Sequence, residues 1–341
     1  MKIIENYSLK SQNSFAVNSI CQQIFFPNNL SDLKSLPNLT SLPFYILGAG
    51  SNTLFTDTNT PTIICPNFKG IAVKETADNY IVTVGASEVW HDLVVYCLNA
   101  GMNGLENLAL IPGNVGAAPV QNIGAYGVEF ADYCRDVSWF DFKAQEVITL
   151  DAKVCQFSYR ESVFKNHLHN KGIITQVTLV LPKQWSANLS YQGLNELPKN
   201  STADIVMEKV ISLRESKLPD PKTLPNAGSF FKNPVVDRKT FNLLCASHNT
   251  MPYYPQVNGD IKLAAAWLIE QSGLKGYKTK GVGVHENQAL VLVNYNSDKG
   301  SDIVALAKYV QHCVYHKFSI LLQPEVKMVS RNGEVLFEDV D

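Results

Sequence analysis

No two of the seven cysteines (Cys21, Cys65, Cys97, Cys134, Cys155, Cys245 and Cys313) stand in a CxxC pair. Their odd number and scatter exclude a disulfide framework and a zinc knuckle, and suit a reducing cytoplasm. Long hydrophobic runs are also missing. The opening "MKIIENYSLKSQNSF" has no apolar core of signal-peptide length, and "AAAWLI" and "ALVLV" are far too short to span a bilayer. Neither sign of charge dominates: the net is −2, so no general affinity for nucleic acid or an anionic membrane is expected. Any anionic ligand must be held by local groups. The basic residues are dispersed, without the aromatic interleaving of a single-strand nucleic-acid groove. His312 and His316 are spaced i,i+4 but have no HExxH carboxylate, and His167 and His169 read as a polar turn, so no metal is expected.

What is present is a chain of 341 residues, enough for two or three packed units. "PFYILGAGSN" reads as a short strand entering a glycine turn, and "YIVTVGA" and "GIITQVTLVLP" as strands. "EVWHDLVVYCLNAG" carries apolar residues at helical spacing and stops at Gly101. "ADIVMEKVISLRESK", "SDIVALAKYVQHCVYHKF" and "IKLAAAWLIEQSG" are further amphipathic helices, the last stopped by Gly273. "FSILLQPEVKMVSRNGEVLFEDV" predicts two strands joined by a turn at Asn332-Gly333. Without regular βαβ alternation the fold class is α+β. The three prolines of "KLPDPKTLPNAGS" (217–229) mark a linker, and domain boundaries favour ligand clefts.

Two glycine loops carry the ligand signal. "LGAGSNTLF" (47–55) begins like a dinucleotide fingerprint, but Thr53 replaces the third glycine and helix formers do not follow, while no GK[ST] exists for a P-loop. What survives is a nest of backbone N–H groups at Gly48, Ala49 and Gly50, with the Ser51 and Asn52 side chains, suited to diphosphate oxygens. A plain strand-end turn fits the loop equally well. "IPGNVGAAPVQNIGAYG" (111–127) holds four glycines and two prolines without a charged side chain. It allows close backbone approach to a flat ligand, the alternative being a tightly wound surface loop. Together the loops suggest a dinucleotide cofactor.

Three further stretches, "YRESVFK" (159–165), "NAGSFFKNP" (226–234) and "GVGVHENQALVLVN" (281–294), follow in order. With both loops they resemble the UDP-N-acetylenolpyruvoylglucosamine reductase family, of the type with a substrate-closing tyrosine loop. The match runs from about 47 to 325 and departs from commoner spellings at Asn114 and Glu161. The resemblance implies two FAD-binding subdomains of the vanillyl-alcohol-oxidase (PCMH-type) fold plus a C-terminal α+β substrate-binding domain. Expected boundaries are 1–69 with 327–341, then 70–217, then 218–326. It also implies non-covalent FAD, NADPH as reductant, a role in bacterial peptidoglycan synthesis and a monomer with a small-molecule substrate. FAD contacts are expected from Gly48, Ala49, Gly50, Ser51, Asn52, Pro112, Gly113, Gly116, Ala117, Gln121, Asn122, Gly124, Ala125 and Tyr126. Substrate contacts are expected from Tyr191, Lys217, Asn233 and Gln288.

The implied reaction delivers hydride to C3 of an enol ether and leaves charge on C2, spread into the neighbouring carboxylate. Arg160 matches that carboxylate in a bidentate fashion, although on "YRE" alone a salt-bridged structural arginine is the commoner reading. A protonated Glu325 would donate a hydrogen bond to the same group. Ser229 has no Ser-His-Asp constellation or GxSxG around it, which argues against a nucleophile. By resemblance it is the acid that protonates C2, where positioning matters more than acidity because the enediolate is a strong base. The rivals are an oxidase of the same fold, testable by acid precipitation of any covalent flavin, and a non-catalytic nucleotide-binding regulator.

Overall fold

The computed structural model describes residues 1–36, 42–256 and 258–340. The chain divides into two compact units. The first comprises Met1–Glu5, Gln23–Ala49 and Thr62–Ser216, the second Asn6–Gln22, Gly50–Pro61 and Lys217–Asp341.

The first unit is built on a five-stranded antiparallel sheet, in the order Glu146–Asp151, Cys134–Asp141, Gly172–Pro182, Asn79–Gly85, Ile71–Glu75. Its register runs through Asp141↔Gly172 and Val177↔Val84. Val82, Val84, Val177 and Leu179 share a core with Trp90, Leu93, Val94 and Cys97 of the helix Trp90–Asn99. Val206 and Val210 of the helix Ala203–Lys217 join it. This is the apolar stripe that helical spacing foretold. The helix Trp90–Asn99 stops where Gly101 takes φ +72°. A smaller parallel arrangement pairs Phe44–Ile46 with Thr62–Ile64, and Ile24 with Ile63.

Among the described residues, the second unit holds three antiparallel or mixed sheets, besides the parallel pairing of Ile20 and Cys21 with Asn59 and Thr60. One runs Asn226–Ser229, Val291–Asn294, Val282–Val284, Lys278–Thr279; another runs Val235–Val236, Ile261–Leu263, Tyr253–Pro255. In the third, Lys327–Ser330 pairs with Gly333–Val335 on one side and, in parallel, with Thr53–Phe55 on the other. The helix Gly300–Phe318 buries Ile303, Leu306, Ala307, Val310 and Val314 and ends at Ser319 with φ +55°.

Two sequence expectations need correction here. In "IKLAAAWLIEQSG" the residues Ile261–Leu263 form the central strand of a sheet, and the helix is confined to Ala265–Gln271. Ile261 and Leu263 are both buried, a period of two that neighbouring alanines disguised as helix. In the C-terminal stretch, strand is limited to Lys327–Ser330 and Gly333–Val335, and the pairing Ser330↔Gly333 puts Arg331 and Asn332 at the tip. Residues 319–326 form no extended strand, only a single antiparallel bridge from Pro324 to Phe231, and they carry Glu325.

Candidate active site

In the second unit, the strand Asn226–Ser229 is irregular. Asn226 pairs with Val293 but Ser229 with Val291, so three steps on one strand face two on the other. This is a β-bulge, which bends a strand and re-aims a side chain. Gly228 supplies the required φ of +70°, and a Cβ there would meet nothing within 4 Å. Asn226, buried, locks the bulge: its Oδ1 accepts from Gly228 N (2.8 Å) and its Nδ2 donates to the carbonyls of Pro219 (3.1 Å) and Leu224 (2.8 Å). Ser229 therefore sits at the end of a fixed kink beside open space.

Glu325 is brought to the same place by the backbone. Its N–H donates to the carbonyl of Phe230, the residue after Ser229 (2.8 Å). Asn52 then ties its loop to this point, donating from Nδ2 to the Glu325 carbonyl (3.1 Å) while its own carbonyl accepts from Lys327 N (3.0 Å). Phe230 and Phe231 are wholly buried beneath, and Phe15 packs edge-on to Phe230 at 6.2 Å. Asn233 uses its Oδ1 on Ala265 N (3.0 Å), at the start of the helix Ala265–Gln271. Gln288 lies in the turn before Val291–Asn294, its Oε1 accepting from Leu290 N (3.4 Å). Lys217 is exposed.

The first unit carries a second cluster. Gly124–Ala125 and Val128–Glu129 form a hairpin whose tip, Tyr126 and Gly127, has φ +51° and +82°. Two positive φ values make this the I′ type that suits strand twist, and a tyrosine there is an uncommon occupant. Arg160 also has positive φ, +58°, at the tip of a turn closed by Ser158 and Glu161. A left-handed arginine costs backbone energy, which persists where the surroundings fix a side chain for use. Its Nη2 donates to the Gly124 carbonyl (3.2 Å), joining it to the glycine-rich loop.

That loop is anchored by backbone bonds such as Gly116 N to Ala86 O (2.7 Å), and a Cβ on Gly116 would lie 2.6 Å from that of Ala86. Gly113 adopts φ +122°. Asn122 is fully buried and braces the loop from behind, its Nδ2 on Glu129 Oε2 (2.7 Å) and Ser158 O (3.2 Å). Pro112 and Ala117 are exposed, Gln121, Ala125 and Tyr126 half-buried. Gly48 has room beside it, the nearest atom to a Cβ being 4.0 Å away. Among the described residues, no acceptor takes the N–H of Gly48 or Ala49. Free backbone donors next to an uncharged glycine loop fit a dinucleotide with a diphosphate and a flat ring system, as FAD has.

Tyr191 meets Tyr126 edge-on, ring centroids 5.0 Å apart. Sequence reading missed their neighbour Arg214. Burial pushes its guanidinium pKa down, the Tyr126 hydroxyl acts in the opposite sense, and no carboxylate contributes. Burial raises the Tyr126 pKa, opposed by Arg214. Arg214 is half-buried, and among the described residues no salt bridge to a carboxylate holds it, so its guanidinium can take an anion. Its only trace in sequence is its place one helical turn before Lys217.

Residues 220–329 match the UDP-N-acetylenolpyruvoylglucosamine reductase C-terminal domain, and residues 22–150 match an FAD binding domain. The chain is 48% identical over 328 residues to the UDP-N-acetylenolpyruvoylglucosamine reductase of Pseudoalteromonas translucida, covering 96% of this chain and 97% of that one. With the enzyme of that name from Escherichia coli O6:H1 the identity is 45% over 334 residues, 97% and 98% of the two chains. Among solved structures, the UDP-N-acetylenolpyruvylglucosamine reductase of Thermus caldophilus shares the fold, with TM-score 0.66 at 23% identity over 96% of this chain and 98% of that one.

Proposed function

The chain belongs to the UDP-N-acetylenolpyruvoylglucosamine reductase family, and from that premise we infer how its own residues perform the reaction. It is an FAD-dependent oxidoreductase of peptidoglycan synthesis, reducing the enolpyruvyl ether of UDP-N-acetylglucosamine to UDP-N-acetylmuramic acid with NADPH as reductant. Bound FAD supplies the hydride that reaches C3. FAD is held through Gly48, Ala49, Gly50, Ser51 and Asn52 and through the loop from Pro112 to Tyr126. Within that loop Asn122 acts by bracing.

Arg160 takes the substrate carboxylate in a fork and carries the charge that arrives there as an enediolate, with Glu325 donating a hydrogen bond to the same group. Ser229 gives its hydroxyl proton to C2. The observation that carries this reading is the bulge at Gly228, which aims Ser229 beside the peptide that holds Glu325. The diphosphate is bound by Lys217, Tyr191, Asn233 and Gln288, and we add Arg214. A substrate-binding part beginning at 218 is supported by the chain leaving the first unit after Ser216. The protein works as a cytoplasmic monomer without nucleic-acid or membrane partners. No helix among the described residues is long and apolar enough to cross a membrane, and the net charge of −2 adds no such attraction.

The decisive experiment is stopped-flow measurement of Ser229→Ala. NADPH should still reduce the flavin at the parent rate, while oxidation of reduced flavin by substrate falls by ~10²–10⁴-fold, the usual value of a general acid. Reoxidation at the parent rate would remove Ser229 from the mechanism.

A further inference from the structure

Residues 185–191 lead to Tyr191 through a stretch with neither helix nor strand. The Tyr191 carbonyl accepts from the N–H groups of Leu194 (3.0 Å) and Asn195 (3.2 Å), and two neighbours in one short turn, Glu106–Leu108, tie down the stretch before it with their side chains. Glu106, buried, accepts from Trp185 Nε1 with Oε1 (2.8 Å) and from Gly104 N with Oε2 (2.7 Å). Asn107, fully buried, donates from Nδ2 to the carbonyls of Asn188 (3.0 Å) and Tyr126 (2.9 Å). Both acceptors are carbonyls, so the amide orientation is fixed by chemistry: only an NH₂ group serves two of them.

The price is visible at the other end of the same amide. Asn107 Oδ1 is buried and accepts no hydrogen bond among the described residues. A buried polar atom left unsatisfied calls for an explanation, and packing alone would favour leucine here. What the asparagine gains is a bond across two segments that each carry a site tyrosine. Asn188 repeats the connection in the opposite direction. Its Nδ2 donates to Gly127 O (3.0 Å), and its Oδ1 accepts from Ser190 N (3.2 Å) and Ser190 Oγ (2.7 Å). The two residues at the hairpin tip are thus each held by an asparagine, and the backbone entering Tyr191 is pinned to them. The 5.0 Å contact of the Tyr126 and Tyr191 rings follows from this stitching.

We propose that Asn107 is a positioning residue for substrate, holding Tyr191 where it meets the diphosphate of the UDP-sugar. It acts through Tyr191 and touches neither substrate nor cofactor. The proposal rests on the reading of Tyr191 as a substrate residue, so its test separates the two.

Asn107→Asp keeps the shape but offers its carboxylate to two carbonyls, and the connection is lost. In the FAD-loaded enzyme we expect KM for UDP-N-acetylenolpyruvoylglucosamine to rise about tenfold or more, since a tenfold loss follows from about one hydrogen bond. FAD content and the rate of flavin reduction by NADPH should be unchanged. Calorimetric titration with UDP-N-acetylmuramic acid should show the same loss in Kd. Adding Asn107→Asp to Tyr191→Phe should cost little further, because the two act on one contact. An unchanged KM in Asn107→Asp, or full additivity with Tyr191→Phe, overturns the proposal. So does a parallel loss of FAD or of NADPH reduction, which would mark a general structural role. If Tyr191→Phe alone leaves KM and Kd untouched, it is the substrate role of Tyr191 that fails, and the proposal with it. Should Asn107→Asp not fold, Asn188→Ala removes the reciprocal half at a more exposed position and must raise KM in the same selective way.

Discussion

At the scale of single residues, glycines beside the site divide by what a methyl group would meet. Gly228 has φ +70° and open space, so alanine there costs conformation, ~1–2 kcal/mol for a left-handed L residue, without collision. Gly228→Ala should fold with its Tm lowered by a few degrees, while reoxidation of the flavin by substrate slows by more than the stability change explains. Rapid-mixing kinetics beside calorimetry would show whether the kink aims Ser229. Gly50→Ala is a different matter: its Cβ would lie 1.9 Å from the Gln12 carbonyl, and we expect no soluble protein. Arg160→Lys keeps the charge and loses the fork, so substrate turnover should fall ~10²–10³-fold, the scale of a lost oxyanion donor, with NADPH oxidation by FAD intact in a half-reaction assay. Sequence alone singled out Gly50, Arg160 and Ser229 as candidates. It could not show the bulge, because register is set by pairing with Val291 and Val293, far along the chain. Nor could it show Arg214, which in "SLRESK" looks like any solvated helix charge until the fold half-buries it within electrostatic reach of Tyr126.

At the scale of elements, the helix Trp90–Asn99 is joined to the glycine loop by His91, whose Nδ1 accepts from Leu110 N (3.1 Å). Burial lowers the imidazole pKa from its ordinary 6.5, Asp92 acts to raise it and Arg214 to lower it. The folded chain therefore binds fewer protons than the unfolded chain as pH drops past 6.5, and stability held above that pH is lost as the folded pKa is approached. His91→Gln should abolish this part of the acid sensitivity. The difference in Tm between pH 7.5 and pH 5.5, measured by differential scanning calorimetry, should be smaller in the variant than in the parent. Long elements were legible: the strand Gly172–Pro182 and the helix Ala203–Lys217 have the bounds their sequences suggest. Short elements were not. Ile261–Leu263 is a strand because two other strands flank it, a fact absent from its own letters.

At the scale of the whole molecule, the order of the motifs along the chain made the family legible, and the interleaving of segments stayed hidden. The second unit is assembled from three pieces, because Asn6–Gln22 and Gly50–Pro61 belong with Lys217–Asp341. Neither short piece has a periodic pattern to announce this. Their contribution is nonetheless large. Leu9, Phe15, Val17, Leu54 and Phe55 are all completely buried. Thr53–Phe55 is a strand partner of Lys327–Val329, and Asn294 Nδ2 donates to the Phe15 carbonyl (2.7 Å). At ~1.5–3 kcal/mol for each buried side chain, these five are comparable to the entire stability of a domain, ~5–15 kcal/mol. A fragment of residues 217–341 should therefore lack a cooperative urea transition and a near-ultraviolet circular dichroism signal, although it contains the whole of the C-terminal family match. Supplying residues 6–61 on a separate chain should restore part of both, since Phe230 then regains the ring of Phe15. Cooperative unfolding of 217–341 by itself would mean that the short segments decorate the second unit and that its core is sufficient without them.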